Sequence, residues 1–432
     1  SSVILLIGIP APFKADDKTV FEFQKKVGTK EGVVEAEGDL GAGESASDIV
    51  VENEYYDGYK AHSTIETHSA TAVMEGDKLI MWVSSQTPFG TREAVSKELG
   101  MPLEKVHVKE NFLGGGFGGK IYNPQAIEAA KLAKITGKPI QLSYTRREEF
   151  MYDYFRNATT ITIKSGCNND GKITLWDYDV YFAGARGSQI FYDFPNKRVA
   201  TRTNADGEPS AHPFPVGAWR APHNNSNTFA RESHIDVMAH KLGIDPVEFR
   251  LKNTKNERVL DTIKTAVDAF GWTPIKSPSG KGVGIAVGFD AGSYVATIAE
   301  VEVNKKTGEV MPIRMVCAQD CGLVVNPLGT KLQVEGGLIM GLGYALTEDV
   351  EFDWGEVKTR NFDTYEIARF SRTPVVEAVL VDSRHEPPEG GGEPSIITAG
   401  GAVANAIFDA CGARLHQMPM TPERVLEAMK AG

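Results

Sequence analysis

Leu113-Gly-Gly-Gly-Phe-Gly-Gly-Lys120 is a stretch almost bare of side chains, five glycines and one phenylalanine between an apolar run and a helical one. Upstream, residues 105–108 carry the β-branched signal of a strand. Downstream, residues 124–136 place Ile127, Ala130, Leu132 and Ala133 at helical spacing. A loop so poor in side chains lets backbone N–H groups come close to a ligand, and the helix after it offers an anion site at its N-terminus. Phosphate or a pterin fits that description. Gly114, Gly116 and Gly119 also satisfy a dinucleotide fingerprint, with Arg146 and Arg147 in reach of a 2′-phosphate. The blander reading is a tight strand-to-helix turn that binds nothing.

Working outward, strand signals fall at residues 48–56, 70–74, 79–84 and 139–145. Residues 159–165 and 172–182 predict a hairpin around Asn168-Asn169-Asp170-Gly171, residues suited to positive φ. A helix over 227–242 ends at Gly243, residues 254–282 read as a linker, and a second hairpin pairs 294–303 with 309–317. Gly/Ala-rich helices are expected over 332–346 and 402–415. Strands and helices without regular alternation predict an α+β fold of mixed sheets and packed helices. The expected domains are 48–255 and 256–432, behind an N-terminal segment and linker, 1–47, that contains the Pro10-Ala11-Pro12 turn and a Gly-rich run at 38–43.

The 432 residues are enough for more than one core. A net charge of −11 argues against nucleic acid or an anionic membrane as partner and for a small molecule or another protein. Four cysteines do not make a disulfide scaffold. The apolar run at residues 3–9 is too short for a membrane helix and lacks the basic start of a signal peptide, so the chain reads as soluble, with cytoplasm and periplasm both open. Its first residue, Ser1, is consistent with processing, gene splitting or trimming.

Further candidates stand elsewhere. Glu393, in Gly390-Gly-Gly-Glu-Pro394 before a small-residue helix, fits a desolvated general base or a solvated surface turn. Gln86 ends an apolar strand as a hydrogen-bond donor to a ligand or as a turn cap. Trp219-Arg220 sets an aromatic and a cation side by side, for a ligand or as core and surface. His62-x3-Glu66-x-His68 has metal-ligand residue types, or forms a strand-end polar cluster, while Cys317-x3-Cys321 lacks the second pair a zinc knuckle needs and reads as two buried thiols.

Taken in order, these motifs resemble one family. Gln86-Thr-Pro-Phe-x-x-Arg92, Leu99-Gly100, Val106-x-Val108 and Gly114-Gly-Gly-Phe-Gly-Gly119 are similar to the first cofactor-binding region of xanthine oxidase family large subunits. Trp219-Arg220, Glu232-Ser233-x-x-Asp236, Leu242-Gly243-x-Asp245-Pro246 and Phe249-Arg250 continue it. Cys317-Ala-x-Asp-Cys-Gly322, Asn326-Pro327, Gln333-x-Glu-Gly-Gly337, Gly341-Leu342 and Gly392-Glu393-Pro394 resemble its C-terminal part. Gly292-Ser293-Tyr294-Val295-Ala296 and Asn361-Phe362-Asp363 look most like the isoquinoline 1-oxidoreductase β-subunit and aldehyde oxidoreductase branch.

The resemblance implies two molybdopterin-cofactor-binding domains and a molybdenum hydroxylase acting on an N-heteroaromatic or an aldehyde. The cofactor, in its cytosine dinucleotide form, would hold molybdenum through the pterin dithiolene rather than through side chains. Gly115, Gly116, Phe117, Gly118, Gly119, Trp219 and Arg220 would bind it, with Gln86 near an oxo group and Glu393 as the base. No cysteine array suits an iron–sulfur cluster, so a small [2Fe–2S] partner subunit is expected, with a flavin or cytochrome subunit as an optional further member. The family's Met-Gly-Gln-Gly segment is absent between residues 282 and 303, which predicts a companion chain or an N-terminal portion to supply it. Ile121 replaces the acidic residue that follows the loop in xanthine-oxidising members, which argues against purines. The competing readings are a non-catalytic assembly subunit and an NADP-dependent oxidoreductase, the latter needing a βαβ pattern that residues 139–180 do not continue.

Overall fold

The computed structural model describes residues 15–188, 191–206, 210–273 and 281–431. The apolar run at 3–9 and the Pro10-Ala11-Pro12 turn lie outside the described residues. The chain first lays down α1 (Val20–Val27), β1 (Lys30–Glu37), α2 (Leu40–Ser45) and β2 (Ile49–Asp57). The Gly-rich linker expected at 38–43 thus runs into a short helix, Leu40–Ser45. Asp39 caps it by accepting from Ala42 N, and β1 before it pairs antiparallel with a later strand.

A four-stranded sheet follows, from β3 (Ser69–Glu75), β4 (Lys78–Val83), β5 (Val106–Lys109) and β6 (Ile140–Ser143), in the order β5-β4-β3-β6. Helices α3 (Pro88–Leu99) and α4 (Pro124–Thr136) back it. The face of α4 that packs is Ala126, Ala129, Ala130 and Ala133, whereas Leu132 is exposed, because alanines let the helix lie close on the sheet. Only β4 and β5 run parallel here, so the sheet is not the doubly wound one that a dinucleotide fingerprint requires.

After α5 (Arg146–Tyr152), the hairpin β7 (Thr159–Cys167) and β8 (Ile173–Tyr181) forms as expected, and β9 (Lys197–Thr203) lies parallel to β8. Together with β1, β2 and the late strand β16 (Gln417–Met418) they make a six-stranded sheet, β1-β9-β8-β7-β2-β16. Next come α6 (Asn224–Leu242), α7 (Pro246–Lys252) and α8 (Glu257–Phe270).

Helix α8 corrects the linker expected over 254–282. Asn256 caps it, Gly271 ends it in the left-handed conformation, and Val259, Ile263 and Ala266 are buried. These apolar residues recur every three to four positions, which is an amphipathic face hidden among ordinary polar residues. Residues 274–280 of that stretch lie outside the described residues.

The third sheet is β10 (Lys281–Asp290), β11 (Ser293–Val303), β12 (Val310–Asp320) and β15 (Val375–Leu380) in that order, with the small pair β13 (Phe352–Asp353) and β14 (Glu356–Val357) beside it in sequence. Helices α9 (Pro327–Leu346), α10 (Pro394–Ile397), α11 (Ala399–Cys411) and α12 (Pro422–Ala431) complete the fold. One core runs from Tyr55 and Trp176 of the six-stranded sheet through Phe229 and Ile235 of α6 to Val403 and Ile407 of α11. No helix among the described residues is long and apolar enough to cross a membrane.

Candidate active site

Residues far apart in sequence converge on a cleft of about 850 Å³, lined by the Gly-rich loop, Gln86, the segment at 218–222, one side of α9, and Gly392 and Glu393. The loop is held in shape by its neighbours. Gly118, at φ +113°, is a backbone conformation few side chains tolerate, and a Cβ there would lie 1.8 Å from Ala218 O. Gly118 N donates to Gln86 Oε1 at 3.0 Å, and Gln86 N donates to Lys120 O at 2.9 Å. A donor settles which end of the Gln86 amide carries oxygen, so its Nε2 group has no partner among the described residues. Gln86 is therefore both the loop's cap and a free donor at the cleft.

The backbone N–H groups of Gly115, Gly116 and Phe117 also have no partner among the described residues, while Gly119 N is used within the turn, donating to Gly116 O. Gly115, Phe117 and Gly118 line the cleft. Gly116 and Gly119 back the loop instead, against Gln86 and His62, where a Cβ would come within 2.4 and 2.8 Å. Such a row of open amides is the cradle that an anionic or pterin-like group requires.

The His62, Glu66 and His68 trio is a scaffold for that loop, and not a metal site. His62 Nδ1 lies 2.7 Å from Asp153 Oδ1 and Nε2 2.8 Å from Ala218 O. Burial alone would lower the imidazole, but the Asp153 carboxylate and the Ala218 carbonyl raise it above its ordinary value. Glu66 accepts from Gly114 N at 2.8 Å and from Lys120 Nζ at 2.7 Å. His68 bonds the Glu149 carboxylate and Tyr122 O. No three such side chains are placed to hold a metal among the described residues.

Trp219 and Arg220 divide their work. Trp219 is fully buried, donates from Nε1 to Ala61 O at 3.0 Å, and packs on Tyr344 and Arg156, so it is a wall of the cleft. Arg220 joins three segments: its backbone N donates to Phe117 O at 2.8 Å, Nε to Gly392 O at 2.9 Å, and Nη2 to Gln333 Oε1 at 3.2 Å. Burial lowers this guanidinium, opposed by the charge of Glu393. Arg146, a candidate for a nucleotide phosphate, is engaged by the carbonyls of Thr64 and Ile65.

Glu393, open to reading as a desolvated base or a solvated surface turn, stands between the two, half-exposed and paired. Its side chain is 37% exposed, with Oε1 accepting from Ala221 N and Oε2 from Arg186 Nη2, each at 2.7 Å. Arg186 is in turn clamped by two bonds to Asp290, 1% exposed, which also accepts from Asn224 Nδ2 at 2.8 Å. Arg186 and Asp290 carry no signal in their own sequence surroundings; only the fold brings them to Glu393. Cys317 and Cys321 are buried free thiols, as expected.

Two models of the molybdopterin cofactor-binding domain match, over residues 24–254 and 231–374. The chain is 27% identical to a nicotinate dehydrogenase subunit of Pseudomonas putida, across 91% of this chain and 36% of that protein. It is 26% identical to the β-subunit of isoquinoline 1-oxidoreductase of Brevundimonas diminuta, across 79% and 46%. The chain thus spans less than half the length of these two relatives. Among solved structures, quinoline 2-oxidoreductase from Pseudomonas putida 86 superposes with a TM-score of 0.82 at 17% identity, covering 93% of this chain and 78% of that one, a likeness of fold. The chain belongs to the molybdopterin cofactor-binding domain family.

Proposed function

We propose that the chain is the catalytic portion of a molybdenum hydroxylase that inserts water-derived oxygen into a C–H bond of an N-heteroaromatic or an aldehyde. The observation that carries this reading is the convergence of the open loop amides, the free amide donor of Gln86 and the carboxylate of Glu393 on one cleft. The names of its relatives, nicotinate and isoquinoline enzymes among them, support an electron-poor ring as substrate.

The residues fit a molybdopterin, and the family resemblance implies its cytosine dinucleotide form. Gly115, Gly116 and Phe117 would hold it through their open backbone amides, Gly118 N stays with Gln86, and the arginine at 220 keeps the loop and the Gly392 segment in register for it. When bound, the molybdenum centre supplies an activated oxygen and accepts two electrons. Glu393 would accept the proton that the reaction releases, and the Ala221 N–H and Arg186 fix the carboxylate's orientation. The electrons would pass to a small [2Fe–2S] partner, with a flavin or cytochrome subunit as an optional further member. A companion chain or N-terminal portion closes the cofactor site with the Met-Gly-Gln-Gly segment.

Plasma mass spectrometry of the natively purified complex tests this, with every polypeptide identified. Near-stoichiometric molybdenum alongside an iron–sulfur subunit is expected; an intact complex without molybdenum would sink the reading. Glu393→Gln, purified with full molybdenum, is expected to lose about 10²- to 10⁴-fold in turnover. Near-normal turnover in that variant would leave an assembly role as the better account.

A further inference from the structure

A second carboxyl group lines the same cleft. Glu348, two residues beyond α9, is only 4% exposed. Its Oε2 accepts from Tyr365 Oη at 2.9 Å. Tyr365 Oη also accepts from Ala61 N at 3.0 Å and has Ala61 O at 3.2 Å as its other acceptor. The hydroxyl proton therefore has two places to go: the carboxylate when Glu348 is ionised, the Ala61 carbonyl when Glu348 carries a proton of its own.

Glu348 Oε1 has no donor among the described residues. It rests against Gly343, where a Cβ would be 2.0 Å away, so a glycine at that position of α9 is what makes room for it. The nearest cations are already matched. Arg156 Nη2 lies 2.6 Å from Asp57 Oδ2, and Lys60 Nζ lies 3.5 Å from Asp57 Oδ1 and 3.6 Å from Asp349 Oδ1. Arg424 Nη2 stands 3.9 Å from Asp349 Oδ2, so every cation of this cluster faces an aspartate and none bonds Glu348, whose carboxylate would be buried without a cation partner. Burial pushes its carboxyl up to about 7, against the pull of Tyr365, Lys60 and Arg156. A group so placed holds or releases a proton near neutrality.

We propose that Glu348, switched through Tyr365, is the second proton acceptor of the cleft. This rests on the hydroxylase reading, whose balance is R–H + H₂O → R–OH + 2 H⁺ + 2 e⁻. A C–H and a water O–H bond break, a C–O bond forms, and the electron pair leaves for the iron–sulfur partner. Glu393 takes one proton, and Glu348 takes the other until the electrons have gone. The structural alternative is that Glu348 only anchors Tyr365.

Infrared difference spectra of the intact complex, dithionite-reduced minus oxidised and recorded near neutral pH, separate these. The expected result is a protonated-carboxyl band that grows on reduction, moves in heavy water and is lost in Glu348→Gln. Tyr365→Phe should displace the band without abolishing it, which guards against a variant that merely folds badly. A wild-type complex with molybdenum but no such band, or a band unchanged in Glu348→Gln, overturns the assignment alone. A wild-type complex without molybdenum overturns the hydroxylase reading and this assignment with it.

Discussion

Glu393 and Gln86 stand out in the chain because their surroundings are unusual: a run of glycines before one, the end of an apolar strand before the other. Glycine is where a backbone must go that side chains forbid, so such runs mark functional loops without any structure. Gly118 shows how strict the demand is. Gly118→Ala would set a methyl group 1.8 Å from the Ala218 carbonyl at a φ few residues adopt, with backbone that cannot step aside. The variant is expected to lose most of its bound molybdenum and about 2–4 kcal/mol of stability, read by plasma mass spectrometry and chemical denaturation. Unchanged metal content would show that the loop tolerates another path. Arg186, Asp290 and Glu348 were illegible by the same logic: each is an ordinary charged residue in an ordinary context, and its importance lies in its partners.

At the scale of elements, hairpins were readable and close-packed glycine strands were not. Strand β10 has glycine at 282, 284 and 288, which depresses strand propensity and hides it. The reason for the glycines is α11, whose backbone crosses so near that a Cβ on Gly284 would sit 2.2 Å from Ala406 N. Gly284→Val is therefore expected to cost about 3 kcal/mol or more, or to prevent folding, as followed by thermal unfolding. A cost below about 1 kcal/mol would mean that helix and sheet separate easily.

The family motif Glu232 with Arg250 has its explanation here too. Glu232, fully buried, bonds Arg250 Nε at 2.9 Å, Arg231 Nε at 3.1 Å and Val287 N at 3.0 Å, tying α6 to α7 and β10. Glu232→Ala should destabilise by about 3–5 kcal/mol, because two buried guanidinium groups lose their anion. Denaturant titration checks this, and a near-neutral result would contradict the network's role.

For the whole molecule, burial of Glu348 links stability to pH. Its carboxyl is raised in the folded state to about 7 from an ordinary 4.5, so the folded protein binds the extra proton between those values. Stability from this group therefore falls as pH rises from about 4.5 to about 7 and stays low above. Glu348→Gln should stabilise the protein by roughly 2–3 kcal/mol at pH 8 and by little at pH 4.5. Equal effects at both pH values would show that the carboxyl is not buried with its charge.

The sequence by itself determined the α+β class and the family, and it singled out the Gly-rich loop, Gln86 and Glu393 as candidates, because each is written in local composition, periodicity or an ordered run of motifs. Only the tertiary structure decided that residues 254–273 are mostly helix, that Glu393 is paired rather than desolvated, and that His62, Glu66 and His68 serve as scaffold. It alone placed Glu348 in the cleft. The physical reason is range. Glycine runs and apolar periodicity act on the backbone within a few residues, whereas the state of a charge depends on what packs against it, and Arg186 reaches Glu393 from 207 positions away.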